Sequence, residues 1–173
     1  MKRYLIRENG SNWFLSQMSQ DNAMLDFERK INEYSCIELI EYENKKQGCK
    51  SILEEYKESN KTLLKTYKGK YYEFVEKAID NMYDICDGSI VVELSDLTIS
   101  LYDTGDKIIH LEIFKKGYEC SYDFDWNNND NIKGLIGEMA RKLKHSIENY
   151  YEIQMHKQID KANGEIEQWS KNK

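Results

Sequence analysis

The chain has 173 residues, room for one core that removes roughly two thirds of the unfolded surface from water, and its 40% hydrophobic and 32% charged content is that of a globular protein. An aromatic share of 12%, with 13 tyrosines, excludes a disordered chain, and a net charge of -6 opposes simple binding to phosphate backbones, which needs a basic surface. The same acidity suits a basic protein partner, such as a nucleic-acid enzyme or a toxin, because opposite potentials speed encounter and set register.

The opening MKRYLIRENG holds a charge or Asn every few residues and no apolar signal-peptide core, and no stretch reaches the apolar length of a membrane span. The expected location is the cytoplasm, without membrane contact. Cys36, Cys49, Cys86 and Cys120 are irregularly spaced, form no C-x-x-C and have no neighbouring histidine pair, so they read as reduced and mostly buried thiols. No metal and no cofactor is expected.

With no proline in the chain, its elements must be punctuated by Gly, Asn, Asp and Ser. Breaks of this kind stand at Asn9-Gly10-Ser11, Gln47-Gly48, Asp87-Gly88-Ser89, Asp103 to Asp106, Lys116-Gly117 and Asn127 to Asn131. They predict a single α+β domain over 1–173, with a helical N-terminal half (1–87), then a four-stranded antiparallel meander and a long C-terminal helix packed on it (88–173).

In chain order, a short strand is expected over Arg3 to Arg7. Helices follow where apolar residues recur at three- and four-residue steps: Met24, Phe27, Ile31 and Tyr34, then Cys49, Ile52, Leu53 and Tyr56. A third runs from a cap at Asn60 through Leu64, Tyr67, Tyr71, Phe74, Val75, Ala78, Ile79, Met82 and Ile85. Cys36 to Tyr42 fits either period and is taken as a strand.

From Ser89 the period switches to two, and Ile90 to Leu94, Leu97 to Tyr102, Lys107 to Phe114 and Tyr118 to Asp123 read as strands. Pairing Leu97, Ile99 and Leu101 with Ile109, Leu111 and Ile113 requires an odd-length loop in which Gly105 is left-handed. A two-residue Lys116-Gly117 turn then sets Ile113 opposite Cys120 and Leu111 opposite Tyr122. The other face receives Thr98, Ser100, Tyr102, His110, Glu112, Phe114, Glu119, Ser121 and Asp123, with His110 across from Asp123.

Beyond the sheet, Ile132, Ile136, Met139, Leu143, Ile147, Tyr151, Met155, Ile159, Ala162, Ile166 and Trp169 form one stripe. A continuous helix over it would be about 55 Å long, against about 40 Å for a compact chain of this size. It must break, bend or project. Asn163-Gly164 is the candidate break, and a projecting end would call for a partner helix or a homodimer.

Candidate chemistry is sparse. His110 oriented by Asp123, with Ser121 and Glu112 near, could serve as a general base in a small hydrolase or transferase. His145 and His156, eleven residues apart on a helix, cannot share a metal. Asp123 to Asn129 starts like a calcium loop, but Asn128 and Gly134 stand where Gly and Glu are needed. Phosphate-binding, dinucleotide, G-x-S-x-G and H-E-x-x-H signatures are missing from the sequence.

Lys57, Lys61, Lys65, Lys68 and Lys70, interleaved with tyrosines, could meet nucleic acid. Their tyrosines lie mostly in the apolar stripe, however, so direct nucleic-acid contact is not the expectation. Binding to protein is: Tyr102, Phe114, Tyr118 and Trp126 are the candidate aromatic anchors. In being small, acidic, rich in Lys and Asn and free of cofactor motifs, the chain resembles the inhibitors that phages and mobile elements encode, anti-CRISPR proteins among them, and toxin-immunity proteins. The resemblance is one of general style and assigns no residue. It implies a non-enzymatic, anti-defence inhibitor, with an immunity protein and the His110/Asp123 enzyme as alternatives.

Overall fold

Tyr4-Leu5-Ile6 and Cys36-Ile37-Glu38-Leu39-Ile40 are consecutive buried residues, so each segment has both faces covered and belongs at the centre of a sheet rather than at its rim. The computed structural model describes residues 2–8, 14–17, 19–43, 56, 59–84, 87–94, 96–106, 108–125 and 132–171. Strands β1 (Lys2–Glu8), β2 (Phe14–Gln17), β3 (Cys36–Glu43) and β4 (Asn60–Lys68) form an antiparallel sheet in the order β2-β1-β3-β4. Helix α1 (Gln20–Lys30) covers one face, where Ala23 and Phe27 meet Tyr4, Ile6, Ile37 and Leu39. The Lys30 ammonium pairs with Glu8 across this contact.

The helical N-terminal half predicted from sequence is therefore overturned. Asn60 to Lys68, read as the start of the longest helix, is β4, paired with β3 from Cys36↔Lys68 to Glu43↔Asn60. The stripe through Leu64, Tyr67 and Tyr71 spans two elements joined at Gly69, whose N–H donates to the Ser35 carbonyl at 2.8 Å. The physical reason is tertiary. With both faces buried, β3 would leave a row of buried backbone groups unpaired unless a strand occupied its second edge. Thr62, Thr66 and Tyr67 fit the pleat there. The expected helix over Cys49 to Leu53 lies outside the described residues, as do Cys86 and Ile85.

Helix α2 (Lys70–Asp84) buries Tyr72, Val75, Ala78, Ile79 and Met82. After it, β5 (Ser89–Leu94), β6 (Leu97–Asp103), β7 (Ile108–Lys115) and β8 (Tyr118–Asp125) form a second antiparallel sheet in the order β5-β6-β7-β8. Ile99↔Ile113, Leu101↔Leu111, Ile113↔Cys120, Leu111↔Tyr122 and His110↔Asp123 are the pairs that the alternation requires. Gly105 and Gly117 take φ of +87° and +82°, conformations that a Cβ would penalise in the two turns.

The inner face of this sheet packs on α2 and on α3 (Ile132–Lys171) in a core that includes Leu97, Leu101, Leu111, Phe124, Met139 and Leu143. Tyr118 Oη donates to the Ser146 carbonyl at 2.7 Å, and Tyr122 Oη shares a hydrogen bond of 2.9 Å with Ser146 Oγ. Helix α3 has 40 residues and runs through Asn163-Gly164 without interruption. Among the side chains described, Tyr150 is the last one buried, and from Met155 to Gln168 every side chain is exposed. Of the three outcomes expected for this helix, the structure takes projection.

Tyr83, near the end of α2, donates to Asp103 Oδ2 at 3.0 Å, and burial, followed by that bond, pushes its phenol up to about 12. The unfolded chain, with an ordinary phenol near 10, gives up this proton first. Its contribution to stability is thus complete below about pH 10 and lost as pH rises through about 12. Lys30 and Lys68, held up by Glu8 and Glu76, act in the same direction. Tyr83→Phe is expected to flatten the fall of the urea midpoint above pH 10. A slope equal to that of the wild type would show that the phenol is not responsible.

Candidate functional site

Because α2 and α3 both pack on one face of the second sheet, its other face is left to solvent. Period two places there Ser89, Val91 and Glu93 of β5; Thr98, Ser100 and Tyr102 of β6; Ile108, His110, Glu112 and Phe114 of β7; and Glu119, Ser121, Asp123 and Asp125 of β8. Val91, Phe114 and Tyr102 are 66%, 48% and 36% exposed. Five carboxylates, Glu93, Glu112, Glu119, Asp123 and Asp125, share this face, and no Lys or Arg is among its described residues. The result is an electronegative surface with aromatic and aliphatic side chains set into it.

His110 stands in the row Ser89, Tyr102, His110, Asp123. Its Nδ1 lies 2.5 Å from Asp123 Oδ1, and its ring meets the Tyr102 ring at 4.7 Å between centroids. A carboxylate at Nδ1 fixes the imidazole's orientation and leaves Nε2 for other partners. Ser121 is paired with Glu112 in the next row, diagonal to His110. Diagonal positions across antiparallel strands stand about 7 Å apart, and the carboxylate that His110 meets is that of Asp123, directly opposite. The histidine and its carboxylate are brought together; the hydroxyl is not joined to them.

The structure also sorts the other candidates. Tyr118 is on the covered side, against Tyr150 at 5.3 Å, and is no exposed anchor. Trp126 and Lys57 lie outside the described residues. Lys61, Lys65 and Lys68 are on a strand rather than a helix, and each answers to its own chain: Lys61 over the Tyr56 ring at 4.3 Å, Lys65 over Phe27 at 5.1 Å, and Lys68 bonded to both Glu76 oxygens at 2.6 and 2.8 Å. Since β4 is an outer strand, these lysines also guard an edge against pairing with another chain. They form no single basic stripe.

Two clefts lie elsewhere. One of about 460 Å³ is lined by Tyr34, Tyr67, Tyr71, Lys70, Arg141 and Lys144 among others, and one of about 180 Å³ by Phe74, Leu94 and Ile147 among others. Neither is lined by His110, Asp123, Glu112 or Ser121. Cys36 is buried, and that burial and then the Glu38 carboxylate push its thiol up, away from the reactive thiolate. Cys120 is half-buried, its Sγ 3.7 Å from Tyr118 Oη. No group of three His, Cys, Asp or Glu side chains among the described residues could hold a metal ion. Among those residues, no helix is long and apolar enough to cross a membrane.

Val91, Glu93 and Asp125 were missed as members of the open face, although the same alternation that places Glu112 and Phe114 there also places them. No protein-family model, curated protein or solved structure matches the chain.

Proposed function

We propose that the protein is a stoichiometric inhibitor that holds a basic protein on the open face of β5–β8, of the anti-defence kind that phages and mobile elements direct at nucleic-acid enzymes in the cytoplasm. One observation supports this reading above the rest. The face carries five carboxylates and no described Lys or Arg around the exposed Tyr102, Phe114 and Val91. Aromatic anchors supply binding energy, and a one-signed rim steers and selects a partner of opposite charge. Binding to a toxin as its immunity protein uses the same chemistry and is distinguished by the target.

The test is titration against purified RNA-guided nucleases and ribonuclease toxins, with cleavage of nucleic acid as the readout. Inhibition at one-to-one stoichiometry is expected, weakening with salt, and Phe114→Ala with Tyr102→Ala should cost about 30-fold or more in affinity. Equal inhibition by this double variant would remove the open face from the mechanism. Turnover of substrate that depends on His110 would replace inhibition altogether.

That enzymatic alternative, with His110 as base, Asp123 as its orienting carboxylate and Ser121 and Glu112 alongside, draws on the 2.5 Å contact between His110 and Asp123. Against it stands the diagonal position of Ser121, which is paired with Glu112 rather than with His110 or Asp123. Full biological activity of His110→Ala would eliminate it.

A further inference from the structure

The free half of α3 carries an apolar stripe that the described residues of its own chain leave exposed: Tyr151, Met155, Ile159 and Ile166 are 42%, 53%, 47% and 65% exposed. We infer that this stripe is a homodimer seam, in which two copies pair antiparallel about a two-fold axis passing between positions 160 and 161. The inference is independent of the docking face proposed above and uses a different surface.

The spacing supplies the geometry. Met155, Ile159, Ala162 and Ile166 follow one another at steps of four, three and four, the heptad rhythm in which a and d residues form a seam. Written so, Ile159 and Ile166 occupy a, and Met155 and Ala162 occupy d. In an antiparallel pair, a layers face d layers. Ile159 then meets the partner subunit's Ala162, and Met155 meets the partner subunit's Ile166. Every such layer sets a branched side chain against a smaller or a flexible one, and the pattern maps onto itself under the two-fold rotation, as an isologous interface demands.

A parallel pair fits the same residues worse. It would stack Ala162 on Ala162, leaving a void, and would bring Glu152, also an a position, against its own copy inside the seam. It would also hold two bodies of net charge -6 side by side at one end. Antiparallel pairing puts the bodies at opposite ends and separates the two Glu152 carboxylates by about 25 Å along the axis.

Charge selects a second copy over an arbitrary helix. Between 151 and 171 the chain has four acidic and three basic residues, Glu152, Asp160, Glu165 and Glu167 against Lys157, Lys161 and Lys171. The overhang is thus nearly neutral in a markedly acidic protein. Flanking the seam are Gln158 and Glu165 on one side and His156 and Asn163 on the other, so antiparallel copies match Gln158 with Glu165 and His156 with Asn163. No like charges oppose one another. A strongly basic partner helix would find few carboxylates here, whereas a second copy meets no repulsion.

Sedimentation equilibrium on the full chain, from micromolar to submillimolar concentration, reads the proposal. Wild type is expected to pass from monomer to dimer. Met155→Lys and Ile166→Glu, each burying an unmatched charge, should each raise the dissociation constant by about a hundredfold or more. Mixing the two variants in equal amounts should restore a dimer, because the introduced lysine of one copy then faces the introduced glutamate of the other only when the helices are antiparallel. Both positions lie beyond the core, so the urea midpoint of dilute monomer should be unchanged. If either variant loses it, Met155→Gln and Ile166→Gln replace them as neutral tests of the same seam. A wild type that stays monomeric throughout, or variants that dimerise as the wild type does, would overturn the seam. A mixture that stays monomeric would overturn the antiparallel register.

Discussion

Leu111→Ala is expected to destabilise the protein by about 3 kcal/mol, within the 2 to 5 kcal/mol that large-to-small changes cost in a packed core. Leu111 is fully buried on an inner strand of the second sheet, paired with Leu101 on one side and Tyr122 on the other. Both neighbouring strands are hydrogen-bonded to its own and α3 packs on that strand, so little can collapse into the space left by the side chain. The measurement is the urea midpoint at constant m. Leu63→Ala is the control: Leu63 is 56% exposed on the outer strand β4, and its change should stay within about 0.5 kcal/mol. Equal effects at the two positions would mean that the second sheet is not the centre of the core.

The second large effect is expected at the join between the first sheet and α3. Glu38 on β3 is buried, with its side chain 7% exposed, and its Oε1 accepts a bond of 2.5 Å from Lys133 Nζ. Truncating one partner of a buried pair strands the other charge, at a cost of about 3 to 5 kcal/mol when both are fully buried. The Lys133 side chain is 43% exposed, and solvent screens part of the interaction, so Lys133→Met is assigned about 2 kcal/mol. Adding Glu38→Gln to Lys133→Met should recover much of the loss, because the stranded charge is then gone. A single variant as stable as the wild type would show that the pair contributes nothing, and a double variant no better than the single would show that a stranded Glu38 charge is not the cause of the loss.

Both predictions rest on features of unequal visibility in the sequence. Leu111 could be assigned to the core from alternation alone, because Leu97 to Leu101, Ile109 to Ile113 and Cys120 to Phe124 keep period two through turns whose lengths preserve parity. The open face followed from the same parity, His110 opposite Asp123 included. Tyr118 is instructive in the other direction, since it shares parity with Cys120 and Tyr122 and so belongs on the covered side. Its parity, rather than its aromatic character, decides that it packs against Tyr150. The pairing of Glu38 with Lys133, 95 residues apart, had no local signature.

What the amino-acid order determined by itself was local: the period of the segments from Ser89 on, the left-handed glycine at 105, the two-residue turn at 116–117, the register of the meander, and the acidity of its exposed rows. Asn60 to Lys68 shows where that reach ended. Its apolar residues satisfy a helical period when joined to those of α2, and only the bare edge of β3, buried on both faces, decided that the segment is a strand. The end of α3 was decided in the same way. Gly164 costs a helix about 1 kcal/mol relative to alanine, an amount that permits either a break or a continuous rod. The helix continues without a break, and its contribution to the core stops at Tyr150, while Met155 to Gln168 stay exposed. Periodicity is written into neighbouring residues, whereas the choice of partner for an edge or a stripe depends on which surfaces remain open after the rest of the chain has packed.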